Sequence, residues 1–338
     1  MKTKVYIYGF VNIYYDSFYI KGLKNIYQNN IKFDLDKFPK FENETLAIII
    51  SENGTETKII IDSRDTNSYY DDELQWCDVY GKANFNEQTV PDQHRHKILN
   101  IGPSFGIQIW NFRQTITLAL IHYFKFRHRI KYKRHFFANY WRQYKRLPLE
   151  YYQPSQSSSN FIFFISTIWK KEPYTNKARA AYIMACQNNP DIIFEGGFAP
   201  RTDGDQQQFD NLTVPNRYSL QEYISKIKSS FAVFNTPAVL SCHGWKIAEF
   251  LALGKAIIST RHVNEFPEEL AEGVHALYVD SLDDIDEKLE LLLRNQDLKL
   301  SLENNARKYF DEVLAPEKIL YKLLHAKPIT SKAVYSKM

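Results

Sequence analysis

The chain has 338 residues, long for one domain and comfortable for two. Hydrophobic residues at 44% against 24% charged exclude wholesale disorder, and 23 Tyr with 23 Phe give either half enough apolar material for a core. The formal charge is only +4, yet it is uneven: no acid lies between Asp92 and Glu150, a stretch that holds twelve Lys or Arg.

The first half opens on an apolar strand over Lys4 to Val11, an aromatic polar loop (Asn12 to Ser17) and a helix from about Phe18. The runs LAIII (46–50) and KIII (58–61) read as strands joined through Asn53-Gly54, a strong hairpin signal. Further strands are expected at Val79 to Phe85 and Lys97 to Ile101, then one long helical stretch from about Trp110 to Tyr144. LPLEYYQPSQSSSN, residues 147–160, carries two Pro and four Ser and reads as a linker.

The second half alternates strand and helix. Strands are expected at 161–167, 191–197, 231–236, 256–260 and 275–280. Helices are expected at about 178–187, from the Ser219–Glu222 capping box to Ser229, at 244–253 before Gly254, from Ser281 to Arg294, and at about 298–313. Such alternation implies a parallel, doubly wound sheet. Cys77, Cys186 and Cys242 are odd in number and widely spaced, arguing for a reducing compartment and against disulfides or a zinc site. The N-terminus lacks the apolar core of a signal peptide, and no window offers about 18 consecutive apolar residues. A cytoplasmic location is the expectation, with peripheral attachment to the inner face of the plasma membrane as an addition to it.

The segment carrying chemistry is FNTPAVLSCHGWKIAEFLALGKAIIST, Phe234 to Thr260. A strand ends near Thr236, a loop follows, and a helix starts around Trp245. In a doubly wound sheet this is where ligands bind, and a helix start offers unpaired amides and a positive dipole end to an anion. His243, Gly244 and Lys246 stand at that start, and Glu249 lies one turn further in, where a carboxylate could accept ribose hydroxyls. An exposed Lys246–Glu249 ion pair with His243 as a plain loop residue is the alternative.

The segment resembles the donor-binding motif of glycosyltransferases with the GT-B fold, in which a Glu on the helix before a GxPVI-like strand holds the nucleotide ribose; here Glu249 is followed by LGKAII. Lys246 and Glu249, two residues between them, also look like the pattern of exostosin-type and bacterial capsule or surface-glycan transferases. In the retaining family with an E-x7-E motif a second acid stands eight positions earlier, where this chain has Ser241. The resemblance implies an α/β protein of two Rossmann-like domains facing a cleft (GT-B). The domains are then an acceptor-side domain (1–146), the linker (147–160), a nucleotide-sugar donor domain (161–315), and a C-terminal helix and tail (316–338) with return to the first domain as an option.

Other residues fit the same expectation. Trp169, Lys170 and Arg179 follow the first strand of the donor domain, where GT-B enzymes hold phosphate-contacting residues, and Gly197 and Arg201 stand at the end of the next strand. A solvated basic helix face is the alternative for the first group. The polar loop TDGDQQQFDN is a candidate lid or a plain surface loop, and its Asp203-Gly-Asp205 is a weak metal signature. Asp16 is the acid placed to act as general base, unless it caps the next helix. Lys246 would neutralise the leaving diphosphate.

The expected activity is hexosyl or deoxyhexosyl transfer from a nucleoside-diphosphate sugar to a glycan or lipid-linked acceptor, in surface polysaccharide or glycoconjugate biosynthesis. No permanently bound cofactor and no metal is expected. The alternatives are a nucleotide-sugar epimerase and a non-catalytic basic protein binding membrane or nucleic acid. The basic, aromatic stretch 122–146 could meet an anionic membrane surface or be a solvated helix face. Nucleic acid is not expected, because no recognised nucleic-acid module surrounds that stretch.

Overall fold

The computed structural model describes residues 3–41 and 44–326. Residues up to 102, 106–146 and from 315 form one compact unit, and 103–105 with 147–314 form a second.

The first unit is built on β1 (Lys4–Tyr8), α1 (Ser17–Tyr27), β2 (Ile31–Asp34), β3 (Leu46–Glu52), β4 (Thr55–Asp62), α2 (Asp71–Trp76), β5 (Val79–Lys82) and β6 (Ile98–Asn100). The strands lie in the order β2-β1-β3-β4-β5-β6. β1 runs parallel to β2 and antiparallel to β3, while β4, β5 and β6 are mutually parallel. The sheet is therefore mixed, and the reversal is local in origin. Asn53 and Gly54 both take positive φ, +53° and +85°, the conformation of a two-residue hairpin turn that only such residues adopt readily. The carboxyl ends of β1, β2, β4, β5 and β6 consequently share one edge.

The helix expected over 110–144 is two helices, α3 (Phe112–Phe126) and α4 (Lys133–Tyr144). The chain turns back after Phe126, whose carbonyl accepts from both Arg129 N (2.8 Å) and Ile130 N (3.2 Å). The return lets the buried His122 Nδ1 meet Tyr140 OH at 2.5 Å. An unbroken helix would hold these residues about 27 Å apart at about 1.5 Å per residue. Some cations of the stretch serve the unit itself. Lys125 Nζ donates to Phe33 O (2.5 Å) and Arg129 pairs with Asp36 (2.8 Å).

The second unit contains β7 (Phe161–Ser166), α5 (Pro173–Asn188), β8 (Ile193–Phe198), α6 (Leu220–Ser229), β9 (Val233–Asn235), α7 (Gly244–Ala252), β10 (Ile257–Thr260), β11 (Leu277–Val279), α8 (Asp284–Arg294) and α9 (Gln296–Tyr309). All its strand pairs are parallel. The ladders β8–β7 and β9–β10–β11 meet where Phe231 N donates to Phe161 O at 2.6 Å, giving the spatial order β8-β7-β9-β10-β11. β7, β9 and β10 are buried on both faces along most of their length, which explains their apolar runs. The segment 147–160 packs within this unit: Tyr152 is fully buried against Phe105, and Ser157 Oγ donates to Glu303 at 2.8 Å. Pro and Ser shape its path without leaving it free.

The last described helix, α10 (Pro316–Leu324), belongs to the first unit and packs on α1; residues 327–338 of the expected tail lie outside the described residues. A Cβ on Gly22 would stand 2.8 Å from the Pro316 carbonyl oxygen, which backbone cannot vacate. Gly22→Ala is expected to cost roughly 1–3 kcal/mol from overpacking, although Ala favours a helix by about 1 kcal/mol over Gly. Denaturant unfolding checks it; a midpoint at or above wild type would show that α10 is not held so closely.

Candidate functional site

The spatial order of the second unit reverses between β7 and β9, and open α/β sheets form their ligand crevice at such a point, beyond the strand carboxyl ends. A cavity of about 370 Å³ occupies this position. Ile165, Ser166 and Thr167 line it from β7, Thr236 and Ala238 from the loop after β9, and His243 to Lys246 from the start of α7. Trp169 and Arg179 complete the side nearest α5. The chain enters α7 through Gly244 at φ +68°, a left-handed conformation that glycine takes without strain. The first-turn amides and the positive dipole end of α7 therefore begin at the cavity wall.

Two cations face this space, Arg179 buried and Lys246 half-buried. Arg179 is held by Nε to Thr236 Oγ1 (3.0 Å) and by Nη1 to Thr167 O (2.8 Å). Burial pulls its pKa down to about 10, so it stays charged at neutral pH. A guanidinium has five N–H donors, so these two bonds leave capacity for an anion. Lys246 Nζ donates to Ile165 O at 2.6 Å and lies 5.1 Å from the Phe164 ring centroid. Burial first, then the neighbouring Arg179 charge, lower its pKa to about 7, with Glu249 opposing in part. An incoming diphosphate would restore the proton.

Glu249 is buried one turn further along α7 and does not line the cavity; its visible influence is on the charge of Lys246. His243 does line it, but not as a cation. Its Nε2 reaches Glu265 O at 3.2 Å, its Nδ1 faces His262 Nδ1 at 3.4 Å, and its ring packs on Phe266. Burial lowers its pKa to about 4, so the imidazole is neutral at pH 7 and positions the loop before α7. The hydrogen bonds imply His243 protonated on Nε2, accepting at Nδ1 from His262.

Lys170, Gly197 and Arg201 do not line the cavity. Lys170 bridges Asp203 (2.9 Å) and Asp205 (3.2 Å), and Arg201 pairs with Asp203 at 2.8 Å. These ion pairs close the 201–205 loop on itself and occupy both carboxylates of the Asp-Gly-Asp sequence. A Cβ on Gly197 would stand 2.4 Å from Leu212 O, so the missing side chain makes room for a neighbouring chain segment where a close approach to a ligand was expected. Trp169 is fixed by Asn176, whose side-chain amide bonds both its backbone N (3.0 Å) and O (2.8 Å).

In the first unit, Asp16 sits at the α1 N-cap position without capping. Its carboxylate accepts instead from Ser63 Oγ at 2.8 Å, in the loop after β4. Burial raises its pKa to about 7, the Ser63 bond and Arg64 opposing. Beside it, Arg64 bonds Asp62 (2.8 Å) and forks onto Glu73, while the fully buried Lys82 bonds Asp62 at 2.7 Å, fixing the loop that carries Ser63.

Sequence reading missed a second cavity in this unit, about 210 Å³, walled by Tyr8, Phe41, Phe136 and Tyr140. Glu44 and His135 meet in it at 2.6 Å, and the buried Asn139 lines it with an amide oxygen that has no hydrogen-bond partner among the described residues. Aromatic walls with a carboxylate, an imidazole and an amide suit a polyhydroxylated ligand. Asp16 does not line this cavity. No helix among the described residues is long and apolar enough to cross a membrane.

No known family matches the chain as a family, and no curated protein matches it in sequence. Solved structures similar to it include the C-terminal domain of a glycosyl transferase group 1 family protein (LpcC) from Francisella tularensis. That match has 17% identity and a TM-score of 0.35, over 48% of this chain and 95% of that one. HepE from Anabaena, in complex with UDP-glucose, matches at 13% identity and TM-score 0.39, over 79% of this chain and 98% of that one. A TarM variant from S. aureus, in complex with fondaparinux, alpha-GlcNAc-glycerol and UDP, matches at 10% identity and TM-score 0.41, over 84% of this chain. That match spans 62% of TarM, less than two thirds of its length. The fold itself stands on the strand order of the two units.

Proposed function

We propose that the protein is a glycosyltransferase moving a hexosyl or deoxyhexosyl group from a nucleoside-diphosphate sugar to a hydroxyl of a glycan or lipid-linked acceptor, in surface polysaccharide or glycoconjugate biosynthesis. The observation that carries this reading is the cavity at the β7/β9 reversal, where Arg179, Lys246 and the start of α7 bring positive charge together. In the reaction, the bond between the anomeric carbon and the diphosphate oxygen breaks and its electron pair leaves with the diphosphate. Charge then builds on that oxygen, and fixed cations in a dry site stabilise it more than they stabilise the bound donor. The acceptor oxygen forms the new bond, and its proton passes to a base of the first unit. Because the protein's own cations meet the leaving group, the reading includes no metal.

Calorimetric titration with nucleoside diphosphates and their sugars, with and without a chelator, tests this reading. UDP and UDP-glucose, named with two of the similar structures, are the first probes. Binding is expected to survive the chelator. Glu249→Gln is expected to weaken it about tenfold: Glu249 does not line the cavity, but its charge favours the protonated form of Lys246, which does. No binding of any nucleotide overturns the proposal; wild-type affinity in the Gln variant removes only Glu249 from donor binding.

A further inference from the structure

The first unit carries an open groove of about 680 Å³ between α1, the edge strand β2 and α3. Lys24, Lys32, Arg113 and Lys125 line it, and none of its lining residues is acidic. Lys24 is turned to Ile109 O at 3.3 Å and Lys125 to Asp34 at 3.3 Å, whereas Lys32 and Arg113 are exposed without an ion pair among the described residues. Phe33 and Trp110, both buried, give the groove an apolar floor.

The helix beside it is apolar on more than its core face. α3 buries Thr115, Ala119, His122 and Phe126. At 3.6 residues per turn the opposite arc carries Ile116, Leu120, Ile121 and Phe124, which are 42%, 45%, 53% and 60% exposed. Ile121 joins this arc to the groove. A surface helix ordinarily turns polar residues outward, and a contiguous exposed apolar stripe marks a docking surface.

We infer that this face of α3 and its groove dock on an anionic lipid bilayer, the four outward apolar side chains entering the acyl boundary and Lys32 and Arg113 meeting headgroup phosphates. Charge selects this occupant. A twofold dimer through the same patch would set one cationic surface against another, whereas an anionic leaflet complements it. No acid lies between Asp92 and Glu150 in sequence; Asp34 and Asp36 pair with Lys125 and Arg129, while Lys131, Lys133 and Arg134 follow in the turn and the start of α4. The inference does not depend on glycosyl transfer and is read without donor or acceptor.

The test is co-sedimentation of the full chain with vesicles of phosphatidylcholine alone or mixed with phosphatidylglycerol, at low and physiological salt. Wild type is expected in the pellet with the anionic vesicles, less so at physiological salt, where the Debye length is about 8 Å. Leu120→Glu is expected to lower the bound fraction about tenfold, since it puts a charge where the acyl boundary is met. Lys32→Gln with Arg113→Gln is expected to remove the preference for anionic vesicles. All three positions are exposed, so melting temperatures should stay at wild type. Wild type remaining in solution with anionic vesicles at low salt overturns the inference, as does wild-type binding by both variants. Reversible mass doubling without vesicles, lost in Leu120→Glu, overturns it in favour of a second copy.

Discussion

Replacing Lys246 with Met is expected to lower single-turnover transfer by about 10²–10³-fold at saturating donor while leaving the fold intact. The ammonium stands at the wall of the cavity at the β7/β9 reversal, and on the proposed reading its value would lie in the charge that grows on the leaving diphosphate. The stability side has a definite sign. Lys246 titrates near 7 in the fold against an ordinary 10.5, so the unfolded chain binds more protons between these values and stability rises with pH across that window. Below it the buried charge is a cost that Met does not bear, so the variant should melt no lower than wild type near neutrality. Donor binding should also take up a proton above about pH 7, visible as a buffer-dependent heat in calorimetry. Wild-type turnover with only a raised donor KM would make Lys246 a binding residue without a part in the chemical step.

The second unit was the more legible half. Apart from β8, its strands are largely buried in parallel ladders, so they read as apolar runs between turn signals, and the Ser219–Glu222 capping box forms both of its bonds. Its chemistry was legible only as position. His243, Trp169, Arg179 and Lys246 line one cavity near their sequence motifs, but that His243 is neutral comes from its burial, against which its bond to the Glu265 carbonyl works, and both arise only in the fold. Gly197 showed the limit of reading glycines: sequence says that a side chain is absent, not whether backbone or ligand takes the space. In the first unit the break after Phe126 carries no Pro or Gly, because His122 and Tyr140 impose it through tertiary contact. Glu44 and His135 are 91 residues apart in the chain, beyond the reach of any spacing rule.

The identity of the base is decided by two isosteric substitutions, and the larger effect is expected from Asp16→Asn, a fall in turnover of about 10²–10⁴-fold. A carboxylate held near pKa 7 by burial is both a stronger base than an ordinary Asp and ionised over the upper half of the physiological range. Transfer should therefore rise with pH through about 7 in wild type, and this limb should vanish in the Asn variant. Unfolding cannot mimic the loss. With its pKa raised from 3.8, Asp16 makes the fold bind more protons than the unfolded chain across that interval, so its contribution to stability falls as pH rises to about 7. Asn carries no charge and can still accept from Ser63, so the variant should melt no lower than wild type above about pH 7. The rival is Glu44, which lines the aromatic cavity with His135 where Asp16 does not. If Glu44→Gln abolishes transfer while Asp16→Asn retains both the rate and the limb near 7, the base is Glu44 and Asp16 serves only to hold the loop after β4. Rate profiles of both variants between about pH 5 and 9, at saturating donor and acceptor, separate the two assignments.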